Sequence, residues 1–215
     1  MKNYLLRAFS GIIIVSLIIS LVFFYRAGFN VLLYIISYAM LWEWYDMTKS
    51  NIWANFCGFI IIPIAILSLL IISYLDHNGW ILLTYFALIW SVDVMAMIGG
   101  KLIGGPKMAP HISPNKTLSG LLVGVISAVL VVRFISTLKI NDFAQLISLE
   151  YILIDSAILA ITAQISDLFI SIFKRKFEIK DTGTIIPGHG GVLDRFDSII
   201  LTAPIVAFWL NNFYN

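Results

Sequence analysis

Residues 171–197 read SIFKRKFEIKDTGTIIPGHGGVLDRFD, and they join an apolar run at 146–173 to another at 198–213. The segment sets Lys174, Arg175, Lys176, Lys180 and Arg195 around Asp181, Asp194, Asp197 and a glycine-rich turn. Cations, carboxylates able to hold a metal, and backbone N–H groups left accessible by glycine are together what a polyphosphate needs. The apolar runs on either side place that chemistry at a membrane surface.

The rest of the chain extends this reading. With 215 residues, 60% of them hydrophobic and 12% charged, and a mean hydropathy of +0.95, the chain is too apolar for a water-soluble domain. Five further runs, 5–25, 29–45, 54–74, 79–98 and 118–136, approach the length that spans a bilayer, about 20 residues. The expected fold is all-α: a single polytopic domain over residues 1–215 with about seven transmembrane helices, the run at 198–213 being the shortest. The first run is read as a retained helix, because no small-x-small cleavage site follows Phe23-Phe24-Tyr25-Arg26. The one cysteine, Cys57, excludes an internal disulfide. A formal net charge of +2 says nothing about partners, and nucleic acid is not expected among them.

The placement of the charges says more. If the N-terminus is cytoplasmic, 11 of the 14 Lys and Arg residues fall on that side, and only Arg26, Arg133 and Lys139 fall on the other. The positive-inside rule then puts the N-terminus and the loops 46–53, 99–117 and 174–197 in the cytoplasm of a cell whose inner membrane holds the protein. The two longest loops, 99–117 and 174–197, share that face and can form one site.

Glu43, Asp93, Asp155 and Asp167 lie inside apolar runs, where a charge is costly and marks a site. Asp93 and Asp167 each sit about 10 Å from the cytoplasmic end of a helix, hence at similar depth. Asp155 lies about 18 Å from Asp167 along the axis and reads as a packing residue. Glu43, in Trp42-Glu43-Trp44, reads equally as an interfacial anchor or a site residue. Asp194 and Asp197, spaced i,i+3, are expected on one face at the start of the last helix. Asp167, Asp194 and Asp197 can converge on a divalent cation that keeps room for water and phosphate oxygens. Gln164 and Ser171 extend that polar stripe. His189, between glycines in Pro187-Gly188-His189-Gly190-Gly191, reads either as a donor to phosphate or as a turn histidine bonded to its own backbone. Thr117 or Ser119 can cap a helix starting near Leu118.

Taken together, Ser171-x-Phe173-Lys174-Arg175, Lys180-Asp181-x-Gly183, Pro187-x-His189-Gly190-Gly191 and Asp194-Arg195-x-Asp197 resemble the signature of the phosphatidate cytidylyltransferases, or CDP-diacylglycerol synthases. An upstream block, Asp93, Gly99, Gly104 and Ile112-Ser113-Pro114-x-Lys116-Thr117 with Gly120, matches in outline, so the resemblance covers about residues 90–200. Val94, Met97 and Ser119 depart from residues common in that family. The resemblance implies transfer of a cytidylyl group from CTP to phosphatidic acid, releasing pyrophosphate. It implies magnesium on Asp167 and Asp194 with Asp197 close by, and admits a second cation such as potassium. Lys174, Arg175 and Lys180 would neutralise the triphosphate, with Asp181 beside Lys180. A lipid phosphate would dock at Ser113, Lys116 and Thr117. Gly190, Gly191 and Arg195 complete the expected substrate-binding set, and a homodimer is the assembly suggested. The competing reading is an ion-coupled transporter with an Asp-lined site, which calls for an internal repeat and helices broken at mid-membrane. No repeat is visible.

Overall fold

The computed structural model describes residues 2–138, 149–186 and 190–213. All seven apolar runs are helices: α1 (Lys2–Phe24), α2 (Arg26–Thr48), α3 (Ile52–Leu75), α4 (Trp80–Ile103), α5 (Leu118–Thr137), α6 (Leu149–Lys176) and, after a single turn α7 (Leu193–Phe196), α8 (Ile199–Phe213). Four of them, α3, α4, α5 and α6, are long and apolar enough to cross a membrane, and shorter apolar stretches cover Gly11–Phe24 and Ile199–Asn212.

The fold is all-α as expected, apart from one short element. Residues 99–117 hold a small antiparallel hairpin of β1 (Lys107–Ala109) and β2 (Ser113–Thr117), with Lys107 opposite Thr117 and Ala109 opposite Ser113. Leu118 N–H donates to Pro106 O at 3.0 Å, and Arg175 Nε to Ile112 O at 3.0 Å. These bonds tie the hairpin to α5 and to the end of α6.

Helix boundaries follow local chemistry. Thr117 caps α5 by accepting from Gly120 N–H at 3.0 Å. Asn51 caps α3 in the same way through Ala54 N–H. At the other end of the bundle, Asp76 accepts from Gly79 and Leu82 N–H, both at 2.9 Å, and pairs with Arg26. The turn expected at Tyr25–Gly28 is tighter than that, because only Tyr25 separates α1 from α2. Glu178, at φ 58°, closes α6, with Ile179 N–H returning to Lys174 O at 2.9 Å.

The core runs the length of the bundle and includes Trp44, Phe29, Leu69, Ile72, Leu82, Ile170 and Ile200, all essentially inaccessible. The helix pair α4 and α5 packs closely because of glycine. A Cβ on Gly120 would stand 2.5 Å from Ala96 O, and one on Gly99 2.6 Å from Val123 Cβ. This seam holds the C-terminal end of α4 against the N-terminal end of α5, where the site lies.

Candidate active site

A cavity of about 700 Å³ opens where α4 and α6 end and α5 begins. α4 contributes Asp93, Met97 and Lys101, and the hairpin region Lys107, Asn115, Lys116 and Thr117. α6 contributes Gln164, Asp167 and Lys174, and the segment after it Asp181, Asp194, Arg195 and Asp197. Five carboxylates therefore meet five cations at one end of a bundle whose outer surface is apolar.

The charges are paired in a definite way. Lys116 Nζ lies 2.6 Å from Asp167 Oδ2 and also donates to Gln164 O at 3.3 Å. Ser171 Oγ donates to the other oxygen of Asp167 at 3.2 Å. Lys174 Nζ donates to Asp194 Oδ1 at 2.9 Å, with side chains 9% and 3% exposed. The second oxygen of Asp194 accepts from Thr182 N–H at 2.8 Å and Gly191 N–H at 3.0 Å. Asp194 thus takes a cation on one side and gathers the loop on the other.

Asp197 follows the turn α7. The expectation that Asp194 and Asp197 open a single last helix is corrected here, because the helix is interrupted between Phe196 and Ile199. Ser166 Oγ donates to the carbonyl oxygen of Asp197, and Ser198 N–H to its Oδ1 at 2.8 Å. Burial, then the negative charges of Asp167 and Asp93, push the Asp197 carboxyl well above its usual range, and Lys174 and Lys116 oppose that. Asp93 accepts from Ser198 Oγ at 3.3 Å.

Three mutually repelling carboxylates on an open cavity suit a hard cation. Among the described residues, no three of His, Cys, Asp and Glu are grouped so as to hold a metal ion by themselves. The donors on the cavity wall are carboxylate oxygens, the chemistry that magnesium takes.

Of the residues singled out in the sequence, Asp167, Asp181, Asp194, Asp197, Lys116, Thr117, Lys174 and Arg195 line the cavity. Ser113, Arg175, Lys180, Gly190 and Gly191 do not. Arg175 is spent on backbone, donating to Ile112 O and Ile179 O. The N–H groups of Gly191, Val192 and Leu193 turn to carboxylates of the protein. Asp155 lies outside the cavity. His189 falls outside the described residues.

Sequence reasoning left the role of Glu43 open, and the structure gives it partners. Its Oε1 accepts from Val192 N–H at 2.9 Å, and its Oε2 from Leu193 N–H at 2.8 Å and Thr182 Oγ at 2.9 Å. The signal available was a charge in an apolar run, but not which of two loops it served. Lys101, Lys107 and Asn115 were also missed as lining residues, being unremarkable members of a basic loop.

Comparison with known proteins bears on this geometry. Residues 48–213 match the model of the cytidylyltransferase family. The phosphatidate cytidylyltransferase of Rickettsia bellii is 52% identical over 216 residues, covering 99% of this chain and 93% of its own length. That of Rickettsia felis is 51% identical over 210 residues, covering 96% and 92%. The phosphatidate cytidylyltransferase of Bacillus subtilis is 39% identical over 141 residues, 65% of this chain and 51% of its own.

Proposed function

The chain belongs to the cytidylyltransferase family, and on that premise we propose how its cavity works as a phosphatidate cytidylyltransferase. The enzyme joins CTP to phosphatidic acid, giving CDP-diacylglycerol and pyrophosphate, in phospholipid synthesis. The observation that carries the reading is the convergence of Asp93, Asp167, Asp194 and Asp197 with Lys116 and Lys174 on one cavity.

The nucleophile comes from the substrate. A phosphate oxygen of phosphatidate attacks the α-phosphorus of CTP. The new P–O bond forms as the bond to the β-phosphate oxygen breaks, and pyrophosphate leaves with that electron pair. No Ser, Cys or Lys nucleophile is needed, so the protein's work is positioning and neutralisation. Asp167, Asp194 and Asp197 are the residues that would hold magnesium, which when bound neutralises phosphate oxygens and the departing pyrophosphate. Potassium is a candidate for a second cation.

Lys116 and Lys174, each held by a carboxylate, present ammonium groups to the phosphates. Arg195, Lys101 and Lys107 add positive charge along the wall. Thr117 and the start of α5 offer a place for the lipid phosphate beside Lys116. Lys180 and His189 are candidates for the leaving-group side.

The topology follows the charge distribution: seven spans, with the N-terminus and the cavity facing the cytoplasm of the inner membrane. The position of the cavity at one end of the bundle supports this, since CTP is cytoplasmic and phosphatidate is in the bilayer. A homodimer in the membrane is the proposed assembly. The test is direct. Purified protein in mixed micelles, given CTP, phosphatidate and magnesium, should form CDP-diacylglycerol and pyrophosphate in equal amounts. ATP in place of CTP should give none. Equal use of both nucleotides, or product without phosphatidate, would reject the reading.

A further inference from the structure

Glu43 lies on α2, ahead of residues 48–213 that match the family, and does not line the cavity. It is nevertheless 2% exposed and sits directly behind the glycine-rich segment. We propose that Glu43 is a positioning residue for cytidylyl transfer: its carboxylate locks Thr182, Val192 and Leu193 so that Asp194 and Lys174 are aimed into the cavity. The inference rests on the cytidylyltransferase reading of that cavity.

The geometry is a two-carboxylate clamp. Thr182 bridges the carboxylates, giving its N–H to Asp194 and its hydroxyl to Glu43. The next chain segment repeats this, with Gly191 N–H on Asp194 and the N–H groups of Val192 and Leu193 on Glu43. Asp194 is thus held by the same two strands of chain that Glu43 holds from behind. Glycine makes the approach possible. A Cβ on Gly183 would lie 2.5 Å from Glu43 Oε1, and one on Gly191 2.5 Å from Oε2.

The clamp needs a carboxylate and not merely a polar side chain. Backbone N–H groups only donate, so both oxygens of residue 43 must accept. In Glu43→Gln the NH₂ meets either Val192 N–H, or Leu193 N–H and the Thr182 hydroxyl, whichever way the amide turns. Glu43→Asp is one methylene too short to keep all three bonds.

The test uses the full-length enzyme in mixed micelles, comparing Glu43→Gln, Thr182→Val and Thr182→Ser with the parent. Thr182→Val removes only the hydroxyl bond, and Thr182→Ser keeps it. Kinetic constants are taken per folded molecule, and hydrogen exchange is read at residues 182–193. Glu43→Gln should lower kcat by about tenfold or more, with a smaller change in KM for CTP, because misaimed groups stabilise the transition state less. Thr182→Val should lower kcat less, and Thr182→Ser should recover most of that loss. Amides of residues 191–193 should exchange faster while those of α3 and α4 do not change.

A purely structural role would reduce the amount of folded enzyme and leave kcat per folded molecule unchanged, which overturns the proposal. Should Glu43→Gln fail to fold, the Thr182 pair decides: parental kcat in Thr182→Val overturns it. An inactive parent would reject the cytidylyltransferase reading, and the exchange at 191–193 would still judge the clamp on its own.

Discussion

Asp194→Asn tests the centre of the site. In the parent, Asp194 accepts from Lys174 on one oxygen and from Thr182 and Gly191 N–H on the other. Asparagine places an NH₂ against donors on one side or the other. It also leaves the Lys174 ammonium, 9% exposed at the side chain, without its counter-charge. Breaking one partner of a buried ion pair costs about 3–5 kcal/mol. If half of that cost is expressed in the transition state, turnover falls about 10- to 100-fold from misplacement alone. On the proposed magnesium site, loss of a ligand would add to it. Two double-mutant cycles separate the contributions, both read as CDP-diacylglycerol formation per folded enzyme. Asp194→Asn with Lys174→Met should be strongly non-additive, because the two groups touch. Asp167→Asn with Asp194→Asn should be non-additive for another reason: the two carboxylates are held by different lysines, and the proposed shared cation would couple them. Additive losses in the first cycle would refute the pair as a unit. Additive losses in the second, with an unchanged magnesium requirement, would refute the shared metal.

Other consequences are simpler to check. Chelating divalent ions should stop the parent enzyme and added magnesium restore it; magnesium should also raise the melting temperature of the parent more than that of Asp197→Asn. Asp155→Asn, outside the cavity, should keep most of the parental rate in the same assay. Gly120→Ala should impair assembly, seen as aggregation in detergent, because its Cβ would meet Ala96 O at 2.5 Å. A cysteine introduced at Lys176 in a Cys57→Ser background should react in inside-out vesicles but not in intact cells; labelling from outside would reverse the topology.

The helices were legible because seven apolar runs, four of them forming helices long and apolar enough to cross a membrane, leave few alternatives. That Asp93 and Asp167 would reach one site was legible for the same reason, since a constant rise per residue puts both a similar distance from their helix ends. The hairpin at 107–117 was not. Strands of three and five residues carrying Lys, Pro and Asn show no alternation to read, and their pairing is fixed by contacts to α5 and α6. The break before α8 was hidden because Phe196, Asp197, Ser198 and Ile199, the residues around it, include no proline or glycine. Asp197 is carried at that break by Ser166, a bond between residues 31 apart. The lysine partners of Asp167 and Asp194 come from separate segments, which spacing along the chain does not reveal.

The bonds to Glu43 span 139 to 150 residues of sequence. During synthesis at about 5–20 residues per second, its partners emerge roughly 10–30 s after it does. Through that interval α2 sits in the membrane, or at its edge, with a carboxylate whose final ligands do not yet exist. The catalytic end of the bundle can therefore close only when nearly the whole chain has been made. A chain stopped before residue 192 would hold most of the helices and still lack the amides of Val192 and Leu193 that engage this carboxylate. Such a product should be open at that end.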